Sequence, residues 1–167
     1  MTVRSIRFFP DPILSQPANT VQDFGPPLAG LVEDLTDTMI ASPGVGVAAP
    51  QIGVSFRVSV IDVRRSSRKS VLGSHGLIVL INPILLRGEN VQIPREGCLS
   101  LPDVLANVRR YETITVRTQT VDGNERIFKA QGFEALALQH EIDHLDGKLF
   151  IDRVLNLKTD LFRRKSR

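Results

Sequence analysis

The spacing of apolar and polar positions changes several times along the chain, and each change predicts an element. Pro10 and Pro12 interrupt the first apolar run, Phe8 to Leu14, so an extended arm is expected there rather than a helix. From Pro26-Pro27 onward, Leu28, Leu31, Val32, Leu35 and Met39 recur at the three- and four-residue spacing of an amphipathic helix. Proline suits the first turn of such a helix, whose amides have no intrahelical partner, and Ser42-Pro43-Gly44 ends it. Residues 56–63 largely alternate, as a strand does. Leu77 to Ile81 are continuously apolar, as in a strand buried on both faces, and Asn82-Pro83 punctuates before Ile84-Leu85-Leu86. Ile114, Val116, Thr118 and Thr120 alternate again, and Asp122-Gly123 turns the chain into a second strand over 125–130.

Leu138, Ile142, Leu145 and Leu149 form a second helical stripe, which predicts a helix from about Phe133 to Asp146 with Gly147 at its C-terminal end. Residues 155–167 are expected to form a short terminal helix with a basic end. Together these elements describe an α+β fold. Antiparallel or mixed β-sheets pack around a central helix, with an amphipathic helix before them and a short one after.

A length of 167 residues fits one domain with a substantial core, expected to be a single catalytic unit over 1–167. With 42% hydrophobic and 23% charged residues, the composition is globular. A net charge of +3 does not mark the body of the protein as a nucleic-acid binder, and no specific DNA partner is expected. The positive excess is local, over residues 64–69 and at the C-terminus. One cysteine allows no internal disulfide, and neither a signal-peptide run nor a membrane span is visible. A cytoplasmic location is therefore expected, away from membranes.

The chemistry centres on Gln139-His140-Glu141-Ile142-Asp143-His144. On a helix, His140 and His144 project from one face, one turn apart, where two imidazoles can chelate one metal ion. Glu141 between them can serve as general base, the H-E-x-x-H arrangement. The plainer reading is a helix with two buried, hydrogen-bonded histidines. A third ligand is not found downstream, because no His or Glu follows His144 and the metzincin histidine position is Phe150. Upstream, Cys98, His75 and the carboxylates remain. His75 sits in a basic segment and reads as a free surface histidine. A lone cysteine is ordinarily a small buried hydrophobe, but beside a two-histidine helix lacking a ligand, Cys98 becomes the stronger candidate.

Gly44-Val45-Gly46-Val47-Ala48-Ala49 has the letters of a dinucleotide-binding turn, but a helix precedes it and Pro50 interrupts any helix after it. A run of small residues also lets a substrate or another backbone come close, or simply connects helix to strand.

These residues, taken together, resemble the peptide deformylase family. Gly44 to Gln51 matches its G-x-G-hydrophobic-A-A-x-Q loop, Glu96 to Ser100 its E-G-C-L-S strand, and Gln139 to His144 its Q-H-E-x-D-H helix. The Pro10-Asp11-Pro12 arm and Leu149-Phe150-Ile151-Asp152 fit as well. The resemblance implies hydrolysis of the N-formyl group of N-formylmethionyl nascent chains, with release of formate. It implies a single divalent ion on Cys98, His140 and His144, Fe(II) in vivo with Zn(II) or Ni(II) as substitutes. Glu141 would be the base, while the Gln51 side-chain amide and the Leu99 backbone N–H would stabilise the formyl oxygen. Val45, Phe133, Leu136 and Ala137 would line the methionine pocket, and Gly46 with residues 99–101 would pair with the substrate backbone. Two positions depart from the family pattern: Leu105, where several members carry a peptide-contacting arginine, and Ser15, where arginine often follows the arm motif. Two rival readings stay open. One is a metallopeptidase acting on internal peptide bonds. The other is a ribosome- or RNA-associated protein using Arg163-Arg164-Lys165 and the 64–69 loop, which is compatible with an enzyme docking near the exit tunnel.

Overall fold

Two α-helices and two antiparallel sheets organise the chain. The computed structural model describes residues 2–66 and 73–164. The helices are α1 (Pro26–Ala41) and α2 (Gly132–Leu145). The strands are β1 (Gly46–Ala48), β2 (Val58–Ile61), β3 (Ile78–Gln92), β4 (Arg95–Cys98), β5 (Leu101–Asn107), β6 (Arg110–Gln119), β7 (Glu125–Gln131) and β8 (Leu161–Arg163). One sheet has the order β1-β2-β3-β6-β7, the other β4-β5-β8.

Burial explains the strand patterns. All four residues of β2 are buried, so its alternation carries no solvent face. On one side Leu28, Leu35 and Met39 of α1 pack with Val47, Val58 and Val60. On the other, Leu138 and Ile142 of α2 pack with Ile61, Leu80, Ile114, Val116 and Phe128. Helix α2 is thus enclosed beyond its predicted stripe, and even Glu134, Gln139 and Asp143 are buried. Its C-terminal end closes as expected. Gly147 takes φ +69, Lys148 N–H reaches the Asp143 carbonyl at 2.8 Å, and Gly147 N–H reaches that of His144 at 3.2 Å. A Cβ on Gly147 would come within 2.5 Å of the Gln16 backbone, so only glycine lets the arm cross here. Arg57 donates to the Leu145 carbonyl and the Asp146 carboxylate, fixing that end of α2 to the entry of β2.

Several expectations are corrected. Asn82-Pro83 does not end the strand. β3 runs through it on a register shift, with Asn82 at φ +50 and its side chain bonded to Val21 and Gln119, while Pro83 withholds an N–H that the irregular ladder does not need. The arm includes one short 3-10 turn, Pro12–Ser15, capped by Asp11, whose carboxylate accepts from Ile13 N–H. The terminal helix is absent from the described part of 155–167. Residues there turn at Asn156, whose side chain accepts from Lys158 N–H, and Leu161–Arg163 then pairs with β5. An open sheet edge offers backbone partners to a segment of weak helical periodicity, and the Phe162 side chain gains the Arg95 guanidinium at 3.9 Å from its ring. His75 is not a free surface histidine. Its backbone N–H and Nδ1 bond the buried Glu134 carboxylate at 2.8 and 2.7 Å, and its ring meets the edge of Phe128. Part of the 64–69 loop and residues 165–167 lie outside the described residues.

Candidate metal and catalytic site

Three donor atoms converge from two elements. His140 and His144 leave one face of α2 with ring centroids 5.0 Å apart. Cys98 closes β4 where the ladder with β5 shifts register and the chain turns back to pair Cys98 with Leu101. That turn aims Sγ inward, 3.2 Å from His144 Nε2, and Ser100 N–H donates to it at 3.4 Å. The ligand atoms of Cys98, His140 and His144 lie within 4.8 Å of one another. His75, the remaining histidine of the chain, is instead occupied by Glu134.

Their protonation is mutually biased. Burial opposes ionisation of the Cys98 thiol, but the charge of His144 and the hydrogen bond from His140 outweigh it and push the thiol well below its usual value. Burial likewise opposes charge on His140, and its hydrogen bonds to Cys98 and Glu96 reverse the balance and raise it. A thiol biased toward its anion beside an imidazole biased toward its cation is the electrostatic pattern that a divalent cation replaces when it displaces the protons. One thiolate and two imidazole nitrogens suit a first-row divalent ion. The buried Oε2 of Glu141, which has no hydrogen-bond partner among the described residues, adds a proton acceptor beside them. The residues present fit the group.

Glu141 lines a cavity of about 730 Å³ together with Cys98 and His140. Burial raises its pKa, partly offset by the two histidines. Gly46 makes room for it: a Cβ there would lie 2.5 Å from Glu141 Oε1. Gln51 is 1% exposed. Its Oε1 accepts from Ala48 N–H at 3.0 Å, while Nε2 donates to Ser100 Oγ at 3.1 Å and points at Cys98 Sγ at 3.6 Å. Leu99 sits in the turn after Cys98, on the cavity wall. Val45, Gly46, Phe133, Leu136 and Ala137 line the same cavity, so all the proposed pocket residues share one space with Cys98 and His140. Leu105 lines it too.

A buried ionic chain was not anticipated from sequence. Glu96 accepts from His140 Nδ1 at 3.0 Å and from Arg110 at 2.8 and 3.0 Å. Arg110 also donates to Asp143, which in turn accepts from Arg153 at 2.6 and 3.2 Å. Burial raises the Glu96 carboxyl, but the His140 and Arg110 hydrogen bonds prevail and hold it at about 2. Asp143 is lowered the same way, burial being outweighed by Arg153 and Arg110. With Nδ1 committed to Glu96, His140 presents its other nitrogen to Cys98, the role of a carboxylate behind a metal-binding histidine. Glu96 and Asp143 lie inside the E-G-C-L-S and Q-H-E-x-D-H motifs, whereas nothing local in the sequence singles out Arg110.

Comparison with known proteins identifies the family. The polypeptide deformylase family model matches residues 3–160. A peptide deformylase of Acidobacterium capsulatum is 47% identical, covering 100% of this chain and 95% of that protein. One from Syntrophobacter fumaroxidans is 43% identical over 99% of this chain and 94% of its own. The crystal structure of a peptide deformylase from Legionella pneumophila superposes with a TM-score of 0.84 at 40% identity, over 93% of this chain and 88% of that one. The chain belongs to the polypeptide deformylase family.

Proposed function

We propose that the chain acts as one catalytic domain in the cytoplasm. There it hydrolyses the formamide of N-formylmethionyl nascent chains to formate and a free amino terminus. One observation carries the reading: Cys98, His140 and His144 offer their donor atoms within 4.8 Å of one another, and Glu141 lines the same cavity as Cys98 and His140. In this reading α2 is the element around which the site is built. Cys98, His140 and His144 would hold one divalent ion, Fe(II) with Zn(II) or Ni(II) as substitutes, and when bound it supplies Lewis-acid polarisation of the formyl oxygen and acidifies water.

The remaining work falls to the chain's own side chains. Glu141 Oε2 takes a proton from the attacking water as the new C–O bond forms, and returns it to the amine nitrogen as the C–N bond breaks. Its burial, which raises its pKa, suits a group that must hold that proton between the two events. Negative charge collects on the formyl oxygen, where Leu99 N–H and Gln51 Nε2 donate. Gln51 can do so with its second Nε2 proton, the one on the Cys98 side, while the first stays on Ser100 Oγ and Oε1 stays on Ala48 N–H. Val45, Phe133, Leu136 and Ala137 accept the methionine side chain, and Gly46 with residues 99–101 pairs with the substrate backbone as an added strand.

The test is formate release from formyl-Met-Ala-Ser by protein loaded with Fe(II), Ni(II) or Zn(II), with casein as the control for internal cleavage. Glu141→Gln is expected to retain the ion and lose about 10²- to 10⁴-fold in kcat. Casein hydrolysis without formate release would replace this reading with the metallopeptidase one.

A further inference from the structure

The cavity lined by Cys98, His140 and Glu141 opens outward, and among the described residues the charged groups at its opening are of one sign. Among the described lining residues, the ionisable groups deep in the cavity are Glu96, Cys98, His140 and Glu141, all committed to the site just described. The exposed ones are Arg65, Arg95 and Arg164. They come from three separate segments. Arg65 follows β2, Arg95 opens β4, and Arg164 leaves β8, whose Phe162 pairs with the cavity residue Leu105.

None of the three guanidinium groups forms an ion pair with a carboxylate among the described residues. Arg65 donates to the Ile40 carbonyl at 2.9 Å, and the nearby Asp62 carboxylate is spent on Arg64. Arg95 lies over the Phe162 ring and touches Asn107 Oδ1 at 3.4 Å. Arg164 is fixed through its backbone, whose N–H bonds the Asp103 carbonyl at 2.8 Å. Backbone carbonyls, a neutral amide and a ring face hold the guanidinium groups of Arg65 and Arg95 in place without an anion bound to either. Three unpaired cations around one opening create a positive potential across the path that a peptide must take out of the cavity.

We propose that these three arginines form a substrate-selecting rim that favours formylated peptides with acidic side chains beyond the second residue. The inference rests on the deformylation reading above and extends it from the formyl group to the downstream residues. A peptide fits this rim better than a polyanion binding from outside, because the cations share one cavity wall with the reacting centre. Each exposed pair contributes little alone, and three acting together are expected to change kcat/KM about 3- to 10-fold.

The experiment compares formyl-Met-Ala-Glu-Glu-amide with formyl-Met-Ala-Gln-Gln-amide on the metal-loaded full chain at low ionic strength. Both have the same shape, and amidation removes the terminal carboxylate. The Glu peptide is expected to show the higher kcat/KM through a lower KM, and the advantage should shrink toward one at about 0.5 M salt. Combining Arg95→Gln with Arg164→Gln should bring the Glu-to-Gln ratio most of the way to one, leaving the small contribution of Arg65. Equal kcat/KM for the two peptides in the unmodified protein overturns the inference while leaving deformylation standing, as does a ratio that survives both substitutions. Equal rates combined with competition by a short single-stranded RNA would assign the cations to phosphate instead. Formate release from neither peptide would overturn the deformylation reading and this inference with it.

Discussion

Gly46 and Gln51 show how little room the site leaves for a residue to change. Gly46 occupies a point where any side chain meets the Glu141 carboxylate, at 2.5 Å from Oε1. Gly46→Ala is expected to keep the ion, because no donor atom moves, and to lower kcat about 10- to 100-fold by displacing Glu141, the proposed base. Metal content and single-turnover formate release measured together check this; loss of metal in parallel with loss of rate would contradict it. Gln51 does two jobs with one amide. Its oxygen satisfies Ala48 N–H, and its nitrogen lies within reach of Ser100 and Cys98. Gln51→Ala should therefore lower kcat about 10²- to 10³-fold. It should also destabilise the fold by about 1–3 kcal/mol, because the Ala48 amide loses its buried partner. Urea titration beside kinetics separates the two effects, and a variant of unchanged stability would show that water had replaced the amide oxygen.

At the level of elements, α2 is tied to its surroundings by charge as well as by packing. Arg110 on β6 is 3% exposed and bridges Glu96 of β4 to Asp143 of α2. Arg110→Met removes the buried cation between two carboxylates, leaving Glu96 to His140 and Asp143 to the part-exposed Arg153, and a loss of about 3–5 kcal/mol in unfolding free energy is expected. Arg153→Ala should lose less than about 1 kcal/mol, since that side chain is 42% exposed and Arg110 still serves Asp143. Denaturant midpoints would test the ordering, which would reverse if Arg153 were the principal partner of Asp143. What could be read from the sequence follows the same division between local and distant contacts. The stripes of α1 and α2, the Asp122-Gly123 hairpin and the Gly147 cap are local patterns, and each is found in place. The E-G-C-L-S and Q-H-E-x-D-H motifs likewise mark Cys98, His140 and His144 by their letters alone. Arg110 was missed because its partners lie 14 and 33 residues away, across two other elements. The strand at 161–163 was missed because its pairing is supplied by β5, more than fifty positions earlier, and His75 because Glu134 lies 59 positions on. Asn82-Pro83 differs for another reason: its letters signal a break, and contacts from distant segments, Val21, Arg57, Thr118 and Gln119, hold the strand continuous through it.

Across the whole molecule, the candidate ligands belong to different structural units. Cys98 comes from the three-stranded sheet, while His140 and His144 come from the helix packed on the five-stranded one. The protein contacts between those units include the Gln51–Ser100 bond, the Glu96–Arg110–Asp143 chain and the small apolar cluster of Cys98, Ala106, Val108 and Phe150. An ion held by all three donors therefore acts as a cross-link between the two sheets, present only in the folded state. Binding linkage gives its size: at a free metal concentration about 100 times Kd, the folded state should gain about 2.7 kcal/mol. The gain should be local in its effect. Amides of β4 and β5 are expected to slow in hydrogen exchange more than those of α1, whose contacts with β1 and β2 are complete without the ion. Cys98→Ala should abolish both the thermal shift and the differential protection, because two histidines alone hold the ion too weakly to stabilise the fold and do not reach the second sheet. A chelator should reverse both effects in the unmodified protein. Uniform slowing across α1, β2 and β5, or a shift that persists in Cys98→Ala, would mean that the ion sits on the helix alone and the thiol belongs only to the core.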